Sequence, residues 1–268
     1  MKKTFLFSGL LLLLAIPFML GYQSSAQAQA PTLDSDGIVQ LGKAIFFDAD
    51  DTLFDYPRAE RAALAACRRE FRIRVAPAAF LDAYRRHNHD LWREFERGET
   101  DQVPLRVERF RRAAGELGLE GLPLDRVGAF YLEALSGQPM LLPGALATVR
   151  VLAKAYPLAL VTNGIAAVQR RRFAASPITK HFRSVVISEE VGIAKPDPRI
   201  FEPALRELGV AAADVLFVGD SVTSDMAAAR NAGMDFVWLN PAGAPVPDGY
   251  APVCVIGDIR ELPACLGF

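Results

Sequence analysis

The chain has 268 residues, of which 51% are hydrophobic and 23% charged; that is enough apolar material for a buried core and too much for a disordered chain. Its formal net charge of −1 lacks the basic excess of a nucleic-acid binder, and 20 glycines with 18 prolines exclude collagen-like and low-complexity classes. The length suits one medium domain, or a domain carrying a large insertion.

Lys2 and Lys3 precede an apolar run from Phe5 to Leu20, and Ser24 to Ala30 is a small-residue tract containing Ala26-Gln27-Ala28. This is the layout of a secretory signal peptide over residues 1–28, and it predicts export with cleavage after Ala28 or Ala26. Two alternatives stay open: an uncleaved anchor, although the run is short for the ~20 residues of a span, and a start assigned too far upstream of a cytoplasmic protein.

Short apolar runs follow at Ala44–Phe47, Leu158–Val161, Ser184–Ile187, Val215–Val218, Phe236–Leu239 and Val253–Ile256. Most are continuous rather than alternating, as in strands buried on both faces. Helical patterns separate them, among them Ala145–Ala155, Ala166–Ala175, Arg199–Leu208 and Asp225–Ala232. The alternation predicts an α/β fold, a doubly wound parallel sheet with helices on both faces. Tyr56 to Leu141 reads instead as helical throughout, and Pro143-Gly144 marks the return to the α/β pattern. The expected organisation is a core of residues 29–56 and 142–268, with a helical insertion at 57–141.

Cys67, Cys254 and Cys265 form no metal-ligand spacing and are expected as three separate thiols, although Cys254 and Cys265 could pair in an oxidising compartment. Arg170-Arg171-Arg172 reads as the solvated face of a helix.

Four polar clusters sit just beyond predicted strand ends, where open parallel sheets bind ligands. In the first, Asp48-Ala49-Asp50-Asp51, three acids directly after a buried strand require a compensating cation. On an extended segment Asp48 and Asp50 face one side, while Asp51 points elsewhere. In the second, Thr162-Asn163-Gly164, a hydroxyl and backbone N–H groups before a helix suit a phosphate, or an ordinary helix cap. The third places Lys195 between Ala194 and Pro196-Asp197-Pro198 in a chain with only six lysines. The fourth runs from Val218-Gly219-Asp220 to Asp225, and oxygen ligands from Asp48 and Asp220 suit Mg²⁺.

In this order the four clusters resemble the haloacid dehalogenase superfamily of aspartyl phosphotransferases, from about Lys43 to the C-terminus. The resemblance implies a Rossmann-like core with a helical cap of the first type. It makes Asp48 the nucleophile, Asp50 the acid and base, and Thr162 and Lys195 the holders of the phosphoryl group. It assigns Mg²⁺ to Asp48, the backbone carbonyl of Asp50, Asp220 and Asp225. Asn163 and Gly164 are expected at the substrate, Asn163 bonding the phosphoryl oxygens or the nucleophile loop. Asp51 stands where many members carry glycine, a departure expected to be harmless.

Asp50 argues against a dehalogenase, whose leaving group needs no proton. A cap without lysine between Tyr56 and Leu141 argues against Schiff-base phosphonate hydrolysis. Sugar phosphomutases and other small-phosphoester phosphatases stay open, and a non-catalytic binding protein is disfavoured by the full set of chemical residues. The segments Phe46–Tyr56, Asn88–Trp92, Leu142–Ala145, Val186–Asp197 and Val237–Asn240 further resemble bacterial pyrimidine 5′-nucleotidases, implying a nucleoside monophosphate as substrate. On the helix around Pro77–Arg97, Phe80, Tyr84, Leu91 and Phe95 form a packing stripe, with His87 and Trp92 beside it as candidate base contacts.

Overall fold

The computed structural model describes residues 42–268; the signal peptide expected at 1–28 lies outside them. Six strands form one parallel sheet: β1 (Ala44–Phe47), β2 (Leu158–Thr162), β3 (Ser184–Ile187), β4 (Val215–Gly219), β5 (Asp235–Leu239) and β6 (Cys254–Ile256). Their order is β3-β2-β1-β4-β5-β6, so the chain reverses direction on either side of β1. A crevice opens at such a switch point, outside the carboxyl ends of the strands. The first, second and fourth polar clusters follow β1, β2 and β4 directly.

The continuous apolar runs have a simple cause. In β1 every residue is buried, yet Ala44 and Phe46 pack into one layer and Ile45 and Phe47 into the other. Period-two alternation therefore persists, with both faces covered. On one side lie α5 (Ala145–Leu152) and the C-terminal α10 (Leu262–Cys265); on the other lie α8 (Glu202–Leu208) and α9 (Ala227–Ala232). Helix α8 is extended by a 3₁₀ turn over Pro198–Phe201, and together they fill the predicted Arg199–Leu208. Before α9 the chain makes a wider π-helical turn, Val222–Met226, so that helix begins earlier and less regularly than its periodicity implies.

Between β1 and α5 stand four helices, α1 (Tyr56–Glu70), α2 (Pro77–Glu96), α3 (Gln102–Glu116) and α4 (Leu124–Ser136), around their own core. Asp55 starts α1 by accepting a hydrogen bond from the Arg58 amide at 3.0 Å, with Pro57 in the first turn. The stripe on α2 buries Phe80, Tyr84 and Leu91, and Tyr84 meets Phe110 and Tyr131 at centroid distances of 5.1 and 5.2 Å. The same apolar cluster takes in Ile165 and Val168 from the start of the helix after β2, so the insertion packs as a cap against the α/β core. The remaining helices are α6 (Ala166–Ala174), after β2, and the single turn α7 (Ser188–Val191), after β3.

Two expectations are corrected. Cys254 on β6 and Cys265 on α10 are joined as a disulfide, because the C-terminal helix folds back over the edge strand; only Cys67 is free, buried in the cap. The arginine run is not uniformly solvated. Arg170 and Arg171 are exposed and pair with Glu190 and Glu133, whereas Arg172 is 0% exposed. No helix among the described residues is long and apolar enough to cross a membrane.

Candidate active site

A cavity of about 230 Å³ opens at the switch point between core and cap, and it brings together Asp48, Asp50, Thr162, Asn163, Lys195, Asp220 and Asp225. Asp48 follows β1 directly, its N–H donating to the Val218 carbonyl of β4 at 2.9 Å, so the strand ladder itself sets where its carboxylate starts. Lys195 is 1% exposed and sits at the centre. Its Nζ donates to Asp48 Oδ1, to Asp225 Oδ1 at 2.6 Å and to the Val161 carbonyl at 3.1 Å. Burial works against the ammonium, but Asp225 and Asp48 outweigh it and raise its pKa. Lys195 is therefore a fixed cation against Asp48 and Asp225.

Asp225 reaches that lysine because residue 219 is glycine: a Cβ there would lie 2.6 Å from the Asp225 carboxylate. The other Asp225 oxygen accepts the Ser221 amide at 3.0 Å. Asp220 accepts the Thr52 hydroxyl at 3.1 Å, while Trp238 Nε1 donates to its carbonyl at 2.9 Å. Carboxylate oxygens of Asp48, Asp220 and Asp225 all lie within 4.8 Å of one another. Burial pushes Asp48 and Asp220 well above the usual carboxylate range, against the pull of Lys195. Three hard oxygen donors with more negative charge than one ammonium balances are a donor set that fits a hard divalent cation.

Asp51 has φ of 62°, the left-handed region that favours glycine and that Asp tolerates better than most residues. The turn therefore survives the exchange. Burial, then Asp50 and Asp48, push its carboxyl to about 7.

The second cluster is arranged differently from expectation. Asn163 lines the cavity, but its amide is bound to the main chain of Lys195 through both ends, at 2.9 Å each. The Gly164 N–H donates to Ser188 Oγ at 3.1 Å, and the Ala166 N–H to Glu189 Oε2 at 2.7 Å. Helix α6 is thus capped by α7, and those amides are not free for a phosphate. His87 does not reach the cavity; its Nε2 lies 2.9 Å from Glu116 on the cap surface. Trp92 does line it, stacked edge-on to Phe95 at 5.6 Å.

Sequence reasoning missed Tyr56, Glu96, Arg109, Gln169 and Arg172, all of which line the cavity. Glu96 accepts the Thr223 hydroxyl at 2.9 Å, and Arg106 of the cap pairs with Glu189, so both contacts tie the cap to the core over the site. Arg172 pairs with Asp50 at 2.7 Å. A signal for it existed: Gln169 and Arg172, three residues apart, share a helix face with the apolar Val168 and Phe173.

Buried acids and a lysine at the switch point of a doubly wound sheet, under helices α1–α4, form an enclosed polar site of the kind that takes a small ligand. Residues 43–233 match the model of the haloacid dehalogenase-like hydrolases, and the chain belongs to that family. It is 32% identical to the pyrimidine 5′-nucleotidase YjjG of Escherichia coli over 219 residues, 81% of this chain and 95% of that one. It is 34% identical to the pyrimidine 5′-nucleotidase PynA of Streptococcus pneumoniae, across 74% of this chain and 84% of the relative. Among solved structures, the magnesium-bound putative hydrolase YfnB of Bacillus subtilis superposes with a TM-score of 0.79 at 28% identity, covering 85% of this chain and all of that one. The protein is a hydrolase of the phosphatase type.

Proposed function

We propose that the protein hydrolyses the phosphomonoester of pyrimidine nucleoside 5′-monophosphates through an aspartyl-phosphate on Asp48. The observation that carries this reading is the convergence, in one cavity, of Asp48, Asp50, Thr162 and Lys195 from distant parts of the chain. Likeness to two pyrimidine 5′-nucleotidases that extends through the cap supports the choice of leaving group, because the cap is what touches it.

In the first displacement an Asp48 oxygen bonds to phosphorus and the bond to the nucleoside oxygen breaks, while Asp50 gives its proton to that oxygen. In the second, water attacks the same phosphorus, Asp50 takes a proton from it, and the bond to Asp48 breaks to release inorganic phosphate. Asp50 ends protonated, ready for the next turnover. Lys195 and the Thr162 hydroxyl hold the phosphoryl oxygens where charge builds. Asp48, the Asp50 carbonyl, Asp220 and Asp225 would hold Mg²⁺, whose part is to neutralise phosphoryl charge and orient the group for in-line attack.

Phosphate release should be measured across pyrimidine and purine monophosphates and sugar phosphates, with Mg²⁺ and with EDTA. Pyrimidine monophosphates should lead, and EDTA should abolish release. Conversion of a sugar phosphate into its isomer would establish a mutase instead.

The leader supports export, and a disulfide between Cys254 and Cys265 suits an oxidising compartment. Exported protein should begin near Gln27 or Gln29; an intact Met1 on protein from the cytosol overturns this assignment.

A further inference from the structure

Arg172 is a charged side chain with no exposed surface, and such a charge is costly unless paired and hydrogen-bonded. Among the described residues its carboxylate partner is Asp50, at 2.7 Å. Three further contacts fix the guanidinium. Nη1 donates to Gln169 Oε1 at 2.8 Å, Nε donates to the Gln138 carbonyl at 3.2 Å, and the group lies over the Phe54 ring at 5.1 Å. Gln138 belongs to the segment leading from α4 back to the core, and Phe54 to the turn after Asp50. Arg172 is therefore anchored by the segment that returns from the cap and by the loop that carries the acid.

Gln169 completes the arrangement. With its Oε1 accepting from Arg172, its Nε2 must face the other way, and it donates to Asp50 Oδ2 at 3.0 Å and to Thr162 Oγ1 at 3.2 Å. One consequence falls on Asp50: Arg172 Nη1 lies 2.7 Å from Oδ1 as an ion pair without hydrogen-bond geometry, and Gln169 donates to Oδ2, so one oxygen is drawn by charge and the other held by a hydrogen bond. It is still 26% exposed on the cavity side, so substrate can reach it. The other consequence falls on Thr162. Its oxygen accepts from Gln169, which turns its own O–H away from Gln169 and leaves it to donate elsewhere. Gly164 belongs to the same device, since a Cβ there would lie 2.8 Å from Gln169 Cγ.

We propose that Arg172 and Gln169 are positioning residues for the reaction: together they aim both oxygens of Asp50, and Gln169 orients the Thr162 hydroxyl toward the phosphoryl group. Both act through Asp50 and Thr162 rather than on the reacting atoms. The proposal rests on the acid–base role of Asp50 given above, but not on which phosphoester the enzyme prefers.

Its test separates positioning from plain structural support by the leaving group. Nitrophenolate departs with little need of a proton, whereas an alkoxide needs one. Release of product from p-nitrophenyl phosphate should be compared with release from uridine 5′-monophosphate and glycerol 2-phosphate in wild type, Arg172→Met, Arg172→Lys and Gln169→Met. Misplacement of a reacting group by 1 Å costs ~10²-fold, so Arg172→Met should lose about 10- to 100-fold with the alkyl esters. The nitrophenol burst should fall less than about fivefold, since that step does not draw on the aimed proton. Arg172→Lys, which keeps a cation beside Asp50, should recover part of the loss. Gln169→Met retains the ion pair but releases Thr162 as well as Asp50 Oδ2, so it should lose activity on every ester and lose more on the alkyl ones, which keeps the proposal falsifiable if Arg172→Met does not fold. In an Asp50→Asn background Arg172→Met should cost nothing further with alkyl esters, because the group it aims is gone.

Equal loss on both kinds of ester, no loss on either, or full additivity with Asp50→Asn each overturns the proposal. If wild type cleaves glycerol 2-phosphate but not uridine monophosphate, the nucleotide reading fails while this test proceeds unchanged. If Asp50→Asn itself shows no dependence on leaving group, the acid–base reading fails first, and it is recognised by that variant alone.

Discussion

Asn163 grips the main chain of Lys195 at two points: its Nδ2 donates to the Lys195 carbonyl at 2.9 Å, and the Lys195 N–H donates to its Oδ1 at 2.9 Å. The loop carrying the lysine thereby gains a side-chain copy of a strand pairing to the end of β2. Lys195 stands over Asp48 and Asp225 because its backbone is held there, and a flexible four-carbon side chain would otherwise wander. In the proposed mechanism Asn163 therefore acts through the lysine.

Removing that grip should loosen the lysine without removing it. Asn163→Ala gives up two hydrogen bonds, each worth about 1 kcal/mol, and its stability by urea unfolding should fall by roughly that sum. Turnover should fall more than affinity does. Asn163→Asp is the sharper variant, because an ionised carboxylate has no donor and faces the Lys195 carbonyl with a second oxygen. It should be less active than Asn163→Ala; equal activity would show that the amide's direction is irrelevant.

The left-handed turn at Asp51 makes a second prediction. At φ of 62° an L side chain with a branched Cβ is strained, so Asp51→Val should cost about 1–2 kcal/mol. Asp51→Gly adopts the same backbone without that strain and should stay within a few tenths of a kcal/mol of wild type, glycine's unfolded-state entropy offsetting the relief. Thermal or urea unfolding decides it, and a harmless valine would mean that the turn relaxes to negative φ.

The features that sequence made legible were those fixed by local pattern. The strand β1 was readable because Ala44 to Phe47 are apolar without interruption, and the four clusters because each directly follows such a strand. What escaped was fixed by tertiary partners. Arg172 and Arg109 carry charges that a helix usually leaves in water, and only the packed structure shows them buried, one beside Asp50 and one against Tyr84 and Tyr131. His87 and Trp92 sit five residues apart on α2, and only the roll of that helix decides that Trp92 faces the cavity and His87 faces Glu116. Cys254 and Cys265 looked separate because nothing local shows α10 folding over β6.

Glu60 sets a pH dependence in the cap. It is 3% exposed and receives Arg85 Nε at 2.6 Å, yet burial outweighs Arg85 and raises its pKa from 4.5. A folded state that holds a proton more tightly than the unfolded chain loses relative stability as pH rises. The contribution from Glu60 is therefore whole below about 4.5 and declines from there through its raised folded value, with a slope of at most ~1.4 kcal/mol per pH unit. Glu60→Gln cannot ionise, so wild type should lose ground to it as pH rises above 4.5 in urea titrations. Wild type gaining on the variant over that range would show that Arg85 dominates instead.

The two acids of the first cluster separate the chemical steps. Asp48→Asn removes the attacking oxygen and one carboxylate ligand, so turnover should fall by several orders of magnitude with every ester. Asp50→Asn leaves the main-chain carbonyl in place but removes the proton carrier, whose contribution is typically about 10²–10⁴-fold, and a loss of that order is expected with an alkyl ester. With p-nitrophenyl phosphate the first displacement hardly needs a proton, so the phosphoenzyme should still form. Its hydrolysis still needs the base, so the Asp50 variant should release a rapid burst of about one nitrophenol per site followed by slow turnover. Trapping ³²P on Asp48 during the slow phase would identify the intermediate directly. A variant in which burst and steady state fall together would place Asp50 outside proton transfer, and undiminished activity in Asp48→Asn would remove the covalent mechanism altogether.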